Sequence, residues 1–392
     1  MHFTHYIPTR ILFGAGKLEE LAKVKLPGKK ALIVISGGKS MRANGYLERV
    51  TNLLKKNNCE SVVFDKILPN PVNKHVMEGA QMAKSTGCDF ILGLGGGSSL
   101  DSAKSIAVMV NNPGDYWDYI GGGTGKGMPV KERVLPIVCI TTTAGTGSEA
   151  DPWTVITHEE RNEKIGFGND DTFPTLSIVD PELMLTVPPA LTAYQGFDAF
   201  FHAAEGFIAN IATPESDIYA LKSIELLAKY LPTAVKDGKN LEARSNVAMA
   251  NTISGFVEST SGCTSEHSLE HAMSAYHPEL PHGAGLIIVS AAYFSFFAEY
   301  APERFTQMAA AMGKDVNSVP KKQRPMLFIE ALKEMQKKCG VDNLKMSDYG
   351  IKETELDTLA ENAVRTMGGL FYLDRHKLTH DDVVRIYKES FK

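Results

Sequence analysis

Apolar, β-branched runs alternate with amphipathic stretches through the first half of the chain. Residues 30–35 (KALIVI) read as a buried strand that ends at Gly37 and Gly38. Residues 46–56 then place Leu47, Val50, Leu53 and Leu54 on one helical face. The pattern repeats: a strand at 61–64, a helix at 76–85, and a strand at 89–94 running into Gly95, Gly96 and Gly97. A helix at 100–110 and a strand at 134–140 follow, the latter ending in TTTAGTGSE. Strands that alternate with helices are βαβ units, which predict a parallel sheet covered on both faces.

The pattern changes near Asp180-Pro181. Beyond Val187-Pro188-Pro189 the period is helical throughout. Phe197, Phe201, Ala204 and Ile208 share one face, and 224–231 and 328–335 repeat the arrangement. The expectation is an α/β domain with a parallel, Rossmann-like sheet over residues 1–182 and an all-α domain over 183–392.

A chain of 392 residues exceeds one ordinary core, which agrees with two domains. The most apolar stretch, 286–298, falls short of the roughly 20 residues a membrane helix needs, so it predicts a buried core helix. No charged n-region and apolar h-region open the chain, so no secretory signal is expected. Five scattered cysteines without a C-x-x-C pair fit free thiols in a reducing cytoplasm. A net charge of −5 argues against nucleic acid or an anionic membrane as a partner.

Two glycine-rich turns follow predicted strands. The first, GGGSS at 95–99, opens a helix, so the free N–H groups and positive end of that helix can face an anion. Its spacing is not G-x-G-x-x-G, and by itself it is also a common tight βα turn. The second, 141–149, offers Thr141, Thr142, Thr143, Thr146 and Ser148 with two glycines. Both turns fall at carboxyl ends of parallel strands, where open α/β sheets bind ligands.

The helical half carries a different set. Asp198 and His202 stand at i and i+4, His267 and His271 repeat that spacing, and His282 follows in LPHGAG. Imidazoles with a carboxylate suit a divalent transition metal such as iron or zinc, whereas magnesium or calcium would call for oxygen donors. A lone histidine is usually structural. Two such pairs and a further histidine among only 11 in the chain point to a metal.

GGGSSLDSAK, TTTAGTGSEAD, D-x-x-x-H, H-x-x-x-H and P-H-G occur here in the order seen in iron-containing alcohol dehydrogenases. PTRILFGAG, PNP and VDPELMLTVPPALTAYQGFDA extend the likeness over nearly the whole chain. The chain therefore resembles that family, which implies the two-domain, dehydroquinate synthase-like fold. The resemblance places metal ligands on Asp198, His202, His267 and His282, with ferrous iron the common metal and zinc in some relatives. It places the dinucleotide over Gly95, Gly96, Gly97 and Ser98, near Asp101, and against Thr141, Thr142 and Ser148. His271 matches a histidine near the nicotinamide and is the candidate proton relay. Two departures stand out: the interval from His271 to His282 is one residue longer than in many members, and Thr260, Ser261, Cys263 and Thr264 make the approach to His267 unusually polar.

The implied reaction is hydride transfer between a short primary alcohol or diol, or the aldehyde, and NAD(P). After the strand at 30–35, Gly37, Gly38, Lys39 and Ser40 carry no acidic residue to repel a 2′-phosphate. That favours NADP(H), with NAD(H) as the other nucleotide. Rival readings are a dehydroquinate synthase-like or glycerol dehydrogenase-like enzyme, and a non-catalytic binding protein. The first would want lysines and arginines near the metal for its anionic substrate, and 256–282 has none. The last has no reason to keep the ligand set and both loops. Edge strands near the N-terminus point to a homodimer.

Overall fold

The computed structural model describes residues 3–391. The chain divides into two compact units: one is Ile7–Thr186, and the other comprises the described parts of 1–6 and 187–392.

The first unit contains β1 (Arg10–Phe13), β2 (Lys30–Ser36), a single turn α1 (Ser40–Ala43), α2 (Tyr46–Lys56), β3 (Glu60–Ile67) and α3 (Asn73–Thr86). It continues with β4 (Phe90–Gly95), α4 (Gly97–Met109), β5 (Ile137–Thr141), β6 (Thr154–His158), β7 (Glu163–Phe167) and β8 (Leu176–Val179). Six strands form one parallel sheet in the order β1-β8-β5-β4-β2-β3, and β6 and β7 form a separate antiparallel pair. Every residue of β4, β5 and β8 is buried, as expected of parallel strands covered on both faces. From β2 the chain first crosses to β3 on one side and later to β4 on the other. The crevice between the carboxyl ends of β2 and β4 is thus the switch point of the sheet, the usual ligand position in open α/β folds.

Several boundaries differ from the pattern-based reading. β5 begins at Ile137, not 134: residues 134–136 are coil, and Pro136, lacking an N–H, contributes only its carbonyl, to Ile91 N–H at 2.9 Å. α3 and α4 begin three residues early, at Asn73 and Gly97, because the periodic residues start only after the first turn. β1, β8 and the β6–β7 pair carry no periodicity that separates them from coil. β1 and β8, each four residues long, are strands because each completes a sheet edge or a gap within it.

The second unit is helical among its described residues. It comprises α5 (Pro189–Ile208), α6 (Pro214–Lys236), α7 (Leu241–Ser261), α8 (Ser265–Tyr276) and α9 (His282–Phe297). Then come α10 (Pro302–Ala311), α11 (Met326–Lys338), α12 (Leu356–Phe371) and α13 (His380–Ser390). Thr213 and Thr379 accept from backbone N–H groups at the starts of α6 and α13, so these helices begin where a side chain satisfies their first donors. α5, predicted from its apolar face, is buried nearly all round. Phe197, Phe200 and Phe201 pack with Phe294 of α9 and Phe328 of α11, fixing the helix that carries the first metal candidates. No helix among the described residues is long and apolar enough to cross a membrane.

Candidate metal centre and cofactor loops

Asp198, His202 and Glu205 occupy positions i, i+4 and i+7 of α5 and so share one face. α7 brings Glu258, α8 brings His267, Glu270 and His271, and His282 is the first residue of α9. Gly283 makes that last placement work: a Cβ there would lie 2.1 Å from the carbonyl oxygen of Tyr194, so only glycine lets the start of α9 close on α5.

Three imidazoles converge on one oxygen. The Nε2 atoms of His202, His267 and His282 lie 3.6, 3.6 and 3.4 Å from Asp198 Oδ1. Nitrogens that share an oxygen at this separation surround a point each could coordinate. Asp198 Oδ1 and His267 Nε2 are both buried with no hydrogen-bond partner, which in a protein interior calls for an occupant.

The opposite edge of each ring is held by a carboxylate. His202 Nδ1 lies 3.2 Å from Glu258 Oε1, His267 Nδ1 pairs with Glu205, and His282 Nδ1 pairs with Glu270. A carboxylate on Nδ1 keeps the proton there and leaves the Nε2 lone pair directed at the shared point, the arrangement that surrounds protein metal ions. Burial works against ionisation of Asp198, while positive charge on His202 and His282, when they are protonated, holds its carboxyl well below the usual carboxylate range. The donor set of three imidazole nitrogens and one carboxylate therefore fits a divalent transition metal.

Sequence reasoning passed over Glu205, Glu258 and Glu270. Signals for two of them were available, since Glu205 sits three residues after His202 and Glu270 three after His267, both on ligand-bearing faces within apolar sequence. Glu258 comes from a separate helix and had no such signal. His271 is 3% exposed, with its ring centre 5.3 Å from that of His282 and 6.2 Å from that of His267.

In the α/β unit, Gly95, Gly96, Gly97 and Ser98 form the turn from β4 into α4. A Cβ on Gly97 would lie 2.3 Å from Thr146 Cγ2, so the second loop is seated directly on the first. Thr142 N–H donates to Gly95 O at 2.9 Å, and Ser98 Oγ donates to Pro69 O. Asp101 accepts from Ser148 Oγ at 2.7 Å and from Val155 N–H at 2.9 Å, and Thr141 Oγ1 donates to Thr143 O at 2.8 Å. Burial pushes the Asp101 carboxyl up to about 6 against the pull of Lys104 and Ser148. The structure thus brings these residues together, but Asp101, Thr141, Thr142 and Ser148 are buried. Thr143 and Thr146, which the family resemblance did not place against the dinucleotide, are the half-exposed hydroxyls over the turn. Gly37, Gly38, Lys39 and Ser40 follow β2, across the switch point from that turn, with Gly37 N–H donating to Ile67 O at 2.8 Å.

A parallel sheet with glycine turns at its switch point, and a helical unit with a carboxylate–histidine cluster, fit the class of enzymes that use a metal and a nucleotide cofactor. Residues 8–181 match the model of the iron-containing alcohol dehydrogenases, and 192–391 match that of the C-terminal part of the same family. The NAD-dependent methanol dehydrogenase of Bacillus methanolicus is 34% identical over 360 residues, covering 91% of this chain and 92% of that one. The 1,3-propanediol dehydrogenase of Citrobacter freundii is 30% identical, covering 99% of each chain. An archaeal halo-thermophilic alcohol dehydrogenase from a Red Sea brine pool superimposes with a TM-score of 0.94 at 33% identity, covering 100% of this chain and 99% of that chain. The chain belongs to the iron-containing alcohol dehydrogenase family. It is a nicotinamide-dependent oxidoreductase acting on CH–OH groups, and the dehydroquinate synthase-like reading is set aside.

Proposed function

We propose that this enzyme interconverts short primary alcohols or diols with their aldehydes, using ferrous iron held by Asp198, His202, His267 and His282. The convergence of three Nε2 atoms on Asp198 Oδ1, each ring backed by a carboxylate, carries this reading. A divalent cation supplies Lewis acidity at such a centre, making a bound hydroxyl more acidic and polarising a carbonyl. Glu205, Glu258 and Glu270 orient the imidazoles. A bound nicotinamide would supply the hydride acceptor for oxidation, and the hydroxyl proton would have to leave separately. His271, beside His267 and His282, is the relay for that proton. The turn at Gly95–Ser98 and the loop at 141–148 would hold the dinucleotide, the first N–H groups of α4 offering donors to its phosphates.

NADPH is the preferred reductant in this reading. Lys39 is exposed and Ser40 opens α1 beside it, while Asp65, a carboxylate close to this edge, is neutralised by Arg42 at 2.6 Å. The opposite preference is favoured by relatives named for their nucleotide, such as the probable NADH-dependent butanol dehydrogenase 2 of Bacillus subtilis, 32% identical. The enzyme works in the cytoplasm, where its five free cysteines stay reduced, and as a homodimer that covers the edge strand β1.

Elemental analysis of anaerobically purified protein, with a screen of short aldehydes against NADH and NADPH, tests the whole reading. Stoichiometric iron and a larger kcat/KM with NADPH are expected. A larger value with NADH overturns the nucleotide preference, and absence of any bound transition metal overturns the centre. His271→Ala should keep its metal and lose rate.

A further inference from the structure

Cys263 stands on the short connection between α7 and α8. Its Sγ, a nitrogen of His202 and a nitrogen of His267 all lie within 4.8 Å of one another. The connection is pinned on both sides. Gly262, at φ +70°, donates to Glu258 O at 3.2 Å, and Thr264 donates through N–H and Oγ1 to Glu205 Oε2 at 2.8 and 3.0 Å. The Glu205 carboxylate that orients His267 therefore also holds Thr264 next to the thiol, while Gly262 is anchored by the backbone carbonyl of Glu258, whose carboxylate faces His202. The two rings are stacked, with centres 4.4 Å apart and planes 16° from parallel. Independently of the cysteine, His267 is 4% exposed and its Nε2 has no hydrogen-bond partner.

Resting on the metal reading above, we propose that Cys263 is a sulfur ligand of this centre. It joins His202 and His267 around a thiophilic divalent cation such as zinc or cobalt(II). The centre then has two overlapping donor sets that share His202 and His267. Asp198 and His282 complete one with oxygen and nitrogen only; Cys263 completes the other with a soft donor. Thiolate favours zinc, whereas imidazole and carboxylate serve iron well, so the cation's identity decides which set it uses. Ligation through sulfur displaces the thiol proton to solvent and requires no oxidant or reductant. Cys263 thereby biases this enzyme toward zinc relative to the same centre without sulfur.

The test reloads chelator-stripped, anaerobic protein with cobalt(II) alone. A sulfur-to-cobalt charge-transfer band in the near ultraviolet is expected. X-ray absorption at the cobalt edge should show one sulfur neighbour at about 2.3 Å, the length of a zinc–thiolate bond. Cys263→Ser and Cys263→Ala should still bind cobalt and lose both signals. In competition between zinc and ferrous iron, both variants should retain more iron than the parent. Stoichiometric cobalt in the parent with only nitrogen and oxygen neighbours, or spectra unchanged in Cys263→Ala, overturns the sulfur ligand while leaving the centre intact. Failure of the parent to bind cobalt at all overturns the centre and the ligand together.

Discussion

Behind the turn from β4 to α4, polar side chains are paired with one another. Ser148 and Val155 donate to Asp101, and Lys104, fully buried, donates to Asp151 Oδ1 at 3.0 Å and to the carbonyls of Asp151 and Trp153. Among α5, α7, α8 and α9 the pairing covers one edge only. Each Nδ1 faces a carboxylate, while the Nε2 atoms turn toward a single oxygen. In the first assembly the buried side chains are scaffolding for the turn, over which only the hydroxyls of Thr143 and Thr146 are half-exposed. In the second the side chains themselves are the proposed ligands. Damage to the first should therefore act through shape, and damage to the second through lost donors.

Removing a donor tests the sharper side of this contrast. His267→Ala deletes a ligand that both donor sets share, so metal should fall well below stoichiometric and turnover should all but vanish. Retained metal with near-normal turnover would erase the distinction between the two assemblies. Removing an orienting group should do less: Glu205→Ala leaves all four primary donors in place but frees the His267 ring. Loss of such a partner typically costs about 10–100-fold in metal affinity, which a competing chelator would read directly.

On the other side, Gly97→Val would drive a side chain into Thr146, whose Cγ2 is 2.3 Å from the position of the new Cβ. Overpacking of this kind costs about 1–3 kcal/mol of stability, and displacing the loop should weaken nucleotide binding while metal content stays normal. Fluorescence titration with either nucleotide measures it; unchanged affinity would mean that the turn does not bind the dinucleotide.

The smallest effect concerns pH. Asp101 is raised to about 6 in the fold, above the value of about 3.9 for an unfolded chain. Between those values the folded state holds more protons. The contribution from this group is complete below about pH 4 and is lost as pH rises through about 6. Asp101→Asn should flatten that part of the Tm profile. An unchanged slope would show that Lys104 and Asp151 compensate for it.

Most of the architecture could be read before the structure, for a physical reason. Buried parallel strands such as β2 and β4 are unbroken apolar runs, and α5 carries its apolar face at helical spacing. β1, β8 and the β6–β7 pair escaped because strands this short are defined by their neighbours. The ligand candidates were legible through i, i+4 spacing, a purely local relation. The carboxylates behind the histidines were less so, because acidic residues on a helix ordinarily face water.

By itself the sequence determined the alternation of strands and helices, the change to helices after Pro189, and the residue types able to bind a metal. Each of these depends on neighbours a few positions away. Only the tertiary structure decided that His282 meets Asp198, which required Gly283 to admit the backbone of Tyr194. It alone decided that Glu258 reaches His202 from another helix, that Thr146 covers Gly97, and that Cys263 lies beside two of the histidines. Contacts of that kind arise from the packing of whole elements, and no local period along the chain records them.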